Sequence, residues 1–191
     1  MTAEKIFGTF TGNGSAPALD GDAPLGELSL SFVPLALVTE WVRCGETADF
    51  IARFFAHDYD ERELAGTVLS TVVNELVENT VKFSSDKAVP AQLTVREYPD
   101  SLMIMTSNVV TPAQGDAFGQ AIATLVSGDP EALFARQIAN PPETGSPGIG
   151  LIMLRKDYGA TIGARLRHPN ANGAAVVDVE VTIAGREVGQ S

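Results

Sequence analysis

The sequence predicts an α+β protein, a two-layer α/β sandwich with helices on one face of a mixed or antiparallel sheet. Two features lead there. A long amphipathic helix runs from about Asp60 to Phe83, and its apolar residues cover one broad side. After it come two pairs of strand-like segments, "AQLTVREY" with "LMIMTSN" and "TIGARLRH" with "AAVVDVEVTI", each pair joined by a short turn. The segments between these pairs have helical spacing, which leaves the strands to form a sheet and the helices to cover it.

Each element has its own signal. Gly12 to Pro24, "GNGSAPALDGDAP", is rich in Gly, Pro and Asp and predicts a loop. "ELSLSFVPL" alternates as a strand does, with Leu28, Leu30 and Phe32 on one side. Leu37 to Phe55 carries apolar residues at helical spacing, with Gly45 expected to interrupt or kink it. Asp60 and Glu63 have the spacing of a capping box at the start of the long helix. Pro99-Asp100 turns the first hairpin. Helices follow near Ala113 to Val126 and from Pro130 to Ala139, then the Pro/Gly loop "NPPETGSPGIG". "GIGLIMLRKDYG" runs from loop into helix and stops at Gly159, and "PNANG" turns the last hairpin.

Bulk properties narrow the function. The 191 residues suffice for one domain with a real core, and 45% hydrophobic against 19% charged residues describes a globular chain. The net charge of −11 argues against a nucleic-acid partner, since backbone affinity comes largely from clustered Lys and Arg. The lone cysteine, Cys44, leaves no internal disulfide and is read as a buried or inert thiol. "MTAEKIFGTF" lacks the apolar core of a secretory signal, and no apolar run reaches the roughly 18 residues of a membrane span. The expectation is a cytoplasmic protein with no membrane partner.

The chemistry concentrates in two stretches. In "NELVENTVKFSS", Glu75, Asn79 and Lys82 fall on one edge of the long helix. An Asn oxygen is a suitable hard ligand for Mg²⁺, and a Glu one turn earlier could deprotonate a hydroxyl or water. In "GSPGIGL", Gly145, Gly148 and Gly150 come just ahead of a helix, where glycines allow close approach and unpaired N–H groups meet anionic oxygens. Each stretch alone has a plainer reading, a solvated face with a Glu78–Lys82 pair and an ordinary turn.

Taken in order, a helix reading E-L-V-E-N-T-V-K-F, two strands, a long segment, G-x-G-L opening a helix, and two strands resembles the histidine-kinase-like (GHKL/Bergerat) ATPase superfamily. Within it the pattern is most similar to stand-alone anti-sigma-factor serine kinases and SiaB-type bacterial signalling regulators. The resemblance covers about Asp60 to Ile183. It implies a mixed sheet and three parts: residues 1–59 as a strand-and-helix extension packed on the main domain, residues 60–184 as the ATPase-like domain, and residues 185–191 as a tail. It implies Glu75 as general base, Asn79 as Mg²⁺ ligand and Lys82 near the phosphates. Gly148 and Gly150 would form the glycine box beside the phosphates, with Gly145, Ile149 and Leu151 also at the nucleotide and the Pro/Gly segment as a lid. ATP and Mg²⁺ are the implied cofactors. The implied activity is phosphorylation of Ser or Thr on a small antagonist-type or sigma-like partner, and a homodimer is the usual assembly.

Two departures stand out. Asn108 occupies the position of an Asp that accepts the adenine amino group, and Val109, Val110 and Pro112 replace flexible glycines in "TSNVVTPAQG". The last strand has only apolar residues before Asp178, where a Thr near adenine is common. A degenerate, non-catalytic relative that binds a partner or another ligand in the same pocket is therefore the alternative. Among other candidates, His57 and His168 have no evident partners, and Arg155, Lys156, Arg165 and Arg167 form a modest basic group. Trp41 reads as core or interface, and Met103 and Met105 as core.

Overall fold

The computed structural model of the chain describes residues 3–12, 23–140, 149–168 and 173–188. Six strands and six helices make up the regular structure of these residues: β1 (Ala3–Gly8), β2 (Gly26–Phe32), α1 (Pro34–Thr39), α2 (Val42–Phe55), α3 (Arg62–Phe83), β3 (Ala91–Tyr98), β4 (Ser101–Val110), α4 (Pro112–Ser127), α5 (Pro130–Ala139), α6 (Ile149–Tyr158), β5 (Thr161–His168) and β6 (Ala175–Ala184). The strands form one sheet in the order β1-β5-β6-β4-β3-β2. Every ladder is antiparallel, where the resemblance implied a mixed sheet. The two-layer α/β sandwich is as expected.

Alternation in the strands sorts side chains between the faces. On β4, Leu102, Ile104, Thr106, Asn108 and Val110 are buried beneath the helices, while Met103 and Met105 lie on the other face. Leu28, Leu30 and Phe32 share one side of β2 and pack on the core. The first hairpin pairs Tyr98 with Ser101 around Pro99-Asp100. Gly159 ends α6 with φ 58, a conformation glycine adopts without strain.

α3 contributes Val68, Leu69, Val72, Val73, Leu76, Val77 and Val81 to the core, and α2 packs along it through Cys44, Ala48, Ile51, Ala52 and Phe55. α4 lies over β1, β5 and β6. Its closest approaches need small residues: a β-carbon on Gly119 would come 2.5 Å from Phe7 Cζ, and one on Gly115 2.6 Å from Leu166 Cδ1.

Several local expectations change. The break between α1 and α2 falls at Glu40–Trp41, and Gly45 sits inside α2, because a glycine near a helix start is tolerated when the flanking turns pack. α3 begins at Arg62 with Glu61 as N-cap and no side-chain capping bond, so the Asp60–Glu63 capping box does not form. Trp41 is 42% exposed rather than core, its ring beneath the Lys82 ammonium at 5.6 Å. "MTAEKIFGTF" supplies an edge strand, β1, that its sequence did not announce. Most of the Gly12–Pro24 loop, the Pro/Gly lid and the "PNANG" turn lie outside the described residues.

After β1 the chain turns onto the sheet face opposite the helices. Thr11 donates from its backbone N–H and hydroxyl to Glu180 Oε1, at 3.1 and 2.7 Å, and Arg165 stacks on Phe10 at 4.8 Å. Asp178 on the same face accepts from Arg165 Nε at 2.8 Å and from Arg167 Nε and a terminal nitrogen at 2.8 and 2.9 Å.

Candidate functional site

A cavity of about 660 Å³ opens between the helices and the sheet. Its floor is the helix-facing side of β4 and β6: Thr106, Asn108 and Val110, with Val177 and Val179. One wall is α3, through Leu76, Asn79, Thr80, Lys82 and Phe83, and the other is α4, through Ala113, Gln114, Ala117 and Phe118. Leu151 of α6 reaches the same space. The volume lies in the range of small-molecule pockets, which are apolar with a few convergent polar groups.

The α4 wall is fixed by its start. Thr111 caps the helix, accepting from Gln114 N–H at 3.2 Å while Gln114 Oε1 accepts from Thr111 N–H at 2.9 Å. β4 therefore runs through Asn108, Val109 and Val110 directly into a capped helix, with Pro112 at its first turn. The residues standing where flexible glycines were expected build ordered structure instead.

Asn79 and Asn108 face each other's element across the cavity, and the amide nitrogen of each is buried without a hydrogen-bond partner. Asn108 is 6% exposed. Orphaned buried donors are uncommon, and each costs about 1–3 kcal/mol until something accepts from it. Both residues line the cavity, Asn79 from the α3 wall and Asn108 from its floor.

Glu75 stands one turn before Asn79 and beside the cavity rather than on its lining. Its carboxylate packs onto Gly150, where a β-carbon would overlap Oε2. Burial chiefly, and then the charge of Glu78, raise the Glu75 carboxyl above its ordinary 4.5, with Lys82 opposing. Lys82 lines the cavity, but its ammonium is bound by Glu78 Oε2 at 2.8 Å. Glu78 also accepts from Asn74 at 3.0 Å.

The structure thus brings Asn79, Lys82, Asn108 and Leu151 to one cavity and Glu75 to Gly150 beside it. Gly150 and Ile149 belong to the first turn of α6 rather than preceding it. Gly145 and Gly148 lie outside the described residues. Sequence reading passed over Thr80 and Thr106, both buried polar residues on the lining. The strand period of two gives Thr106 the same face as Asn108, which was the available signal.

The four basic residues of the C-terminal half that the sequence singled out are committed elsewhere. Arg165 and Arg167 hold Asp178, Arg155 donates to the carbonyls of Leu125 and Gly128, and Lys156 pairs with Asp157. Among the described residues no group of three or more His, Cys, Asp or Glu could hold a metal by itself. No helix of the described residues is long and apolar enough to cross a membrane.

No protein-family model matches the sequence, and neither does any curated protein. Among solved structures, the chain is similar to one in the crystal structure of the SiaB–SiaC complex from Pseudomonas aeruginosa. The TM-score is 0.59 over 78% of this chain and 97% of that one, at 16% sequence identity. At this identity the likeness is one of fold.

Proposed function

We propose that the protein is a nucleotide-binding signalling regulator that acts on a small partner protein, by transferring a phosphoryl group to a Ser or Thr hydroxyl of that partner. The observation that carries this reading is the pair of unpartnered amide nitrogens, Asn79 and Asn108, in the wall of one apolar cavity of nucleotide size. The fold shared with a chain of the SiaB–SiaC complex, an assembly of two proteins, supports the partner.

The residues suit Mg·ATP or a related nucleotide. Mg²⁺ is commonly held by one or two protein groups together with phosphate oxygens and water, so the single Asn79 side chain would suffice where the described residues hold no acidic cluster. Bound there, the ion would neutralise phosphate charge. Asn79 would hold the metal, and Lys82, which lines the same cavity, would exchange its Glu78 partner for a phosphate. Glu75, with a carboxyl of raised proton affinity, would take the proton of the incoming hydroxyl. Leu76, Val110, Val177, Val179 and Phe118 would enclose the base and exclude water.

The second reading, a non-catalytic relative, draws on the rigid β4–α4 connection and on the Glu78–Lys82 pair, which occupies the cation nearest the cavity. The two are separated by incubating the wild type and Asn79→Ala with γ-labelled ATP, Mg²⁺ and an extract of the source cell lacking this chain. Label on one small protein with the wild type alone supports the transferase. Nucleotide-independent association with a partner and no label supports the binder.

A further inference from the structure

We infer that the substrate protein docks on an apolar patch formed by Leu35, Val38, Trp41 and Val42, through apolar side chains flanked by Lys or Arg. This deepens the proposed transfer reaction and rests on it for the identity of the occupant.

The patch is built by α1 and the corner that leads into α2. Pro34 and Leu37 turn inward from α1, which leaves Leu35 and Val38, three residues apart, on its outer side. Trp41 and Val42 follow at the start of α2. The four side chains are between 42% and 65% exposed. Single exposed apolar residues are ordinary, but four within eight consecutive positions mark an interaction surface.

Two observations identify what covers it. The first is continuity with the cavity. The Trp41 ring lies 5.6 Å from the Lys82 ammonium, and Lys82 lines the cavity. Lys82 and Glu75 are two turns apart on one side of α3, roughly 10 Å along its axis. A protein seated on the patch therefore stands beside the carboxylate that would take its hydroxyl proton. The second is charge. The exposed charged residues between positions 33 and 49 are Glu40, Glu46 and Asp49 against Arg43. Such an acidic rim disfavours a second copy of itself and an anionic lipid surface, and it attracts a basic flank.

Trp41 is the only tryptophan in the chain, so its emission reports the patch directly. The test titrates the full chain with an amphipathic Leu/Lys helical peptide carrying one Ser, and with its Leu/Glu counterpart. The inference expects a saturable blue shift, with the Leu/Lys peptide bound at least about tenfold more tightly than the other. Val38→Asp should weaken that binding at least about tenfold. Attachment through charge alone would strengthen in Val38→Asp, and that result overturns the inference, as does an equal response to both peptides or none. A blue shift that grows with protein concentration without peptide, together with a doubled mass in light scattering, assigns the face to a second copy and also overturns it. Leu35→Asp repeats the check if Val38→Asp fails to fold. In the labelled extract the same variants should lose transfer to the small protein while keeping their affinity for Mg·ATP. Undiminished label overturns the docking inference and leaves the transferase reading standing. No label with the wild type overturns the transferase reading, and the peptide titration then decides the surface.

Discussion

The carboxylate of Glu75 packs directly against the α-carbon of Gly150, joining the middle of α3 to the first turn of α6. The two residues come from the two stretches that carry the sequence's chemistry, and their contact is possible only because position 150 has no side chain. The glycine is thus a spacer for the carboxylate and not a hinge: it sits in regular helix.

That relationship predicts an uncoupling of stability from activity. In Gly150→Ala the added methyl meets the mobile end of Glu75 rather than backbone, so the chain should fold with its melting temperature changed by no more than about 4 °C. The displaced carboxylate should lower phosphoryl transfer at least roughly tenfold. Melting curves and transfer rates on the same sample check both halves.

Glu75→Gln should raise stability while removing activity. The folded carboxyl titrates above its ordinary 4.5, so between that value and the raised one the folded state holds more protons than the unfolded state. Stability from this group is therefore present below pH 4.5 and falls as pH rises through the folded value. Gln does not titrate and escapes the loss. The variant should melt higher than the wild type at pH 7 and alike at pH 4, with transfer abolished at both.

Asp178 should behave in the opposite sense. Burial pushes its carboxyl up, but hydrogen bonds from Arg167, Ser107 and Arg165 outweigh that and hold it below its ordinary 3.8. Its contribution is present above pH 3.8 and lost as pH falls through the folded value. Asp178→Ala leaves two guanidiniums side by side on β5 without their shared acceptor and should cost about 3 kcal/mol, measured by urea unfolding at pH 7. Because this network lies on the face away from the cavity, nucleotide affinity should change less than about twofold.

Much of the fold was legible because its signals are periodic. The α3 stripe, the alternation in β2 and the β3–β4 hairpin bury what their spacing predicts. β1 was not legible: "AEKIFG" is short, its Ile6 is 57% exposed, and its place beside β5 comes from a pairing far away in sequence. The same holds for the site. Glu75, Asn79 and Lys82 share a helix edge that spacing alone reveals. That Asn108 shares a cavity with Asn79, that Lys82 is held by Glu78 over the Trp41 ring, and that Arg165 and Arg167 turn away to Asp178 depend on how β4, α1 and β5 pack. Expected caps also failed where tertiary contact decides: Glu61, not Asp60, precedes α3, while Thr111 and Gln114 form the capping box that was not anticipated.

The central claim is that Asn79 anchors a metal-bound nucleotide in the cavity beneath α3 and α4. Calorimetric titration of the nucleotide-stripped chain with ATP, GTP and ITP, each with and without Mg²⁺, in the wild type and in Asn79→Ala, tests it most directly. The account predicts Mg²⁺-dependent binding by the wild type that weakens at least about tenfold in Asn79→Ala, with no loss of melting temperature in the nucleotide-free chain. Binding that ignores both Mg²⁺ and Asn79, or no binding at millimolar nucleotide, would contradict it.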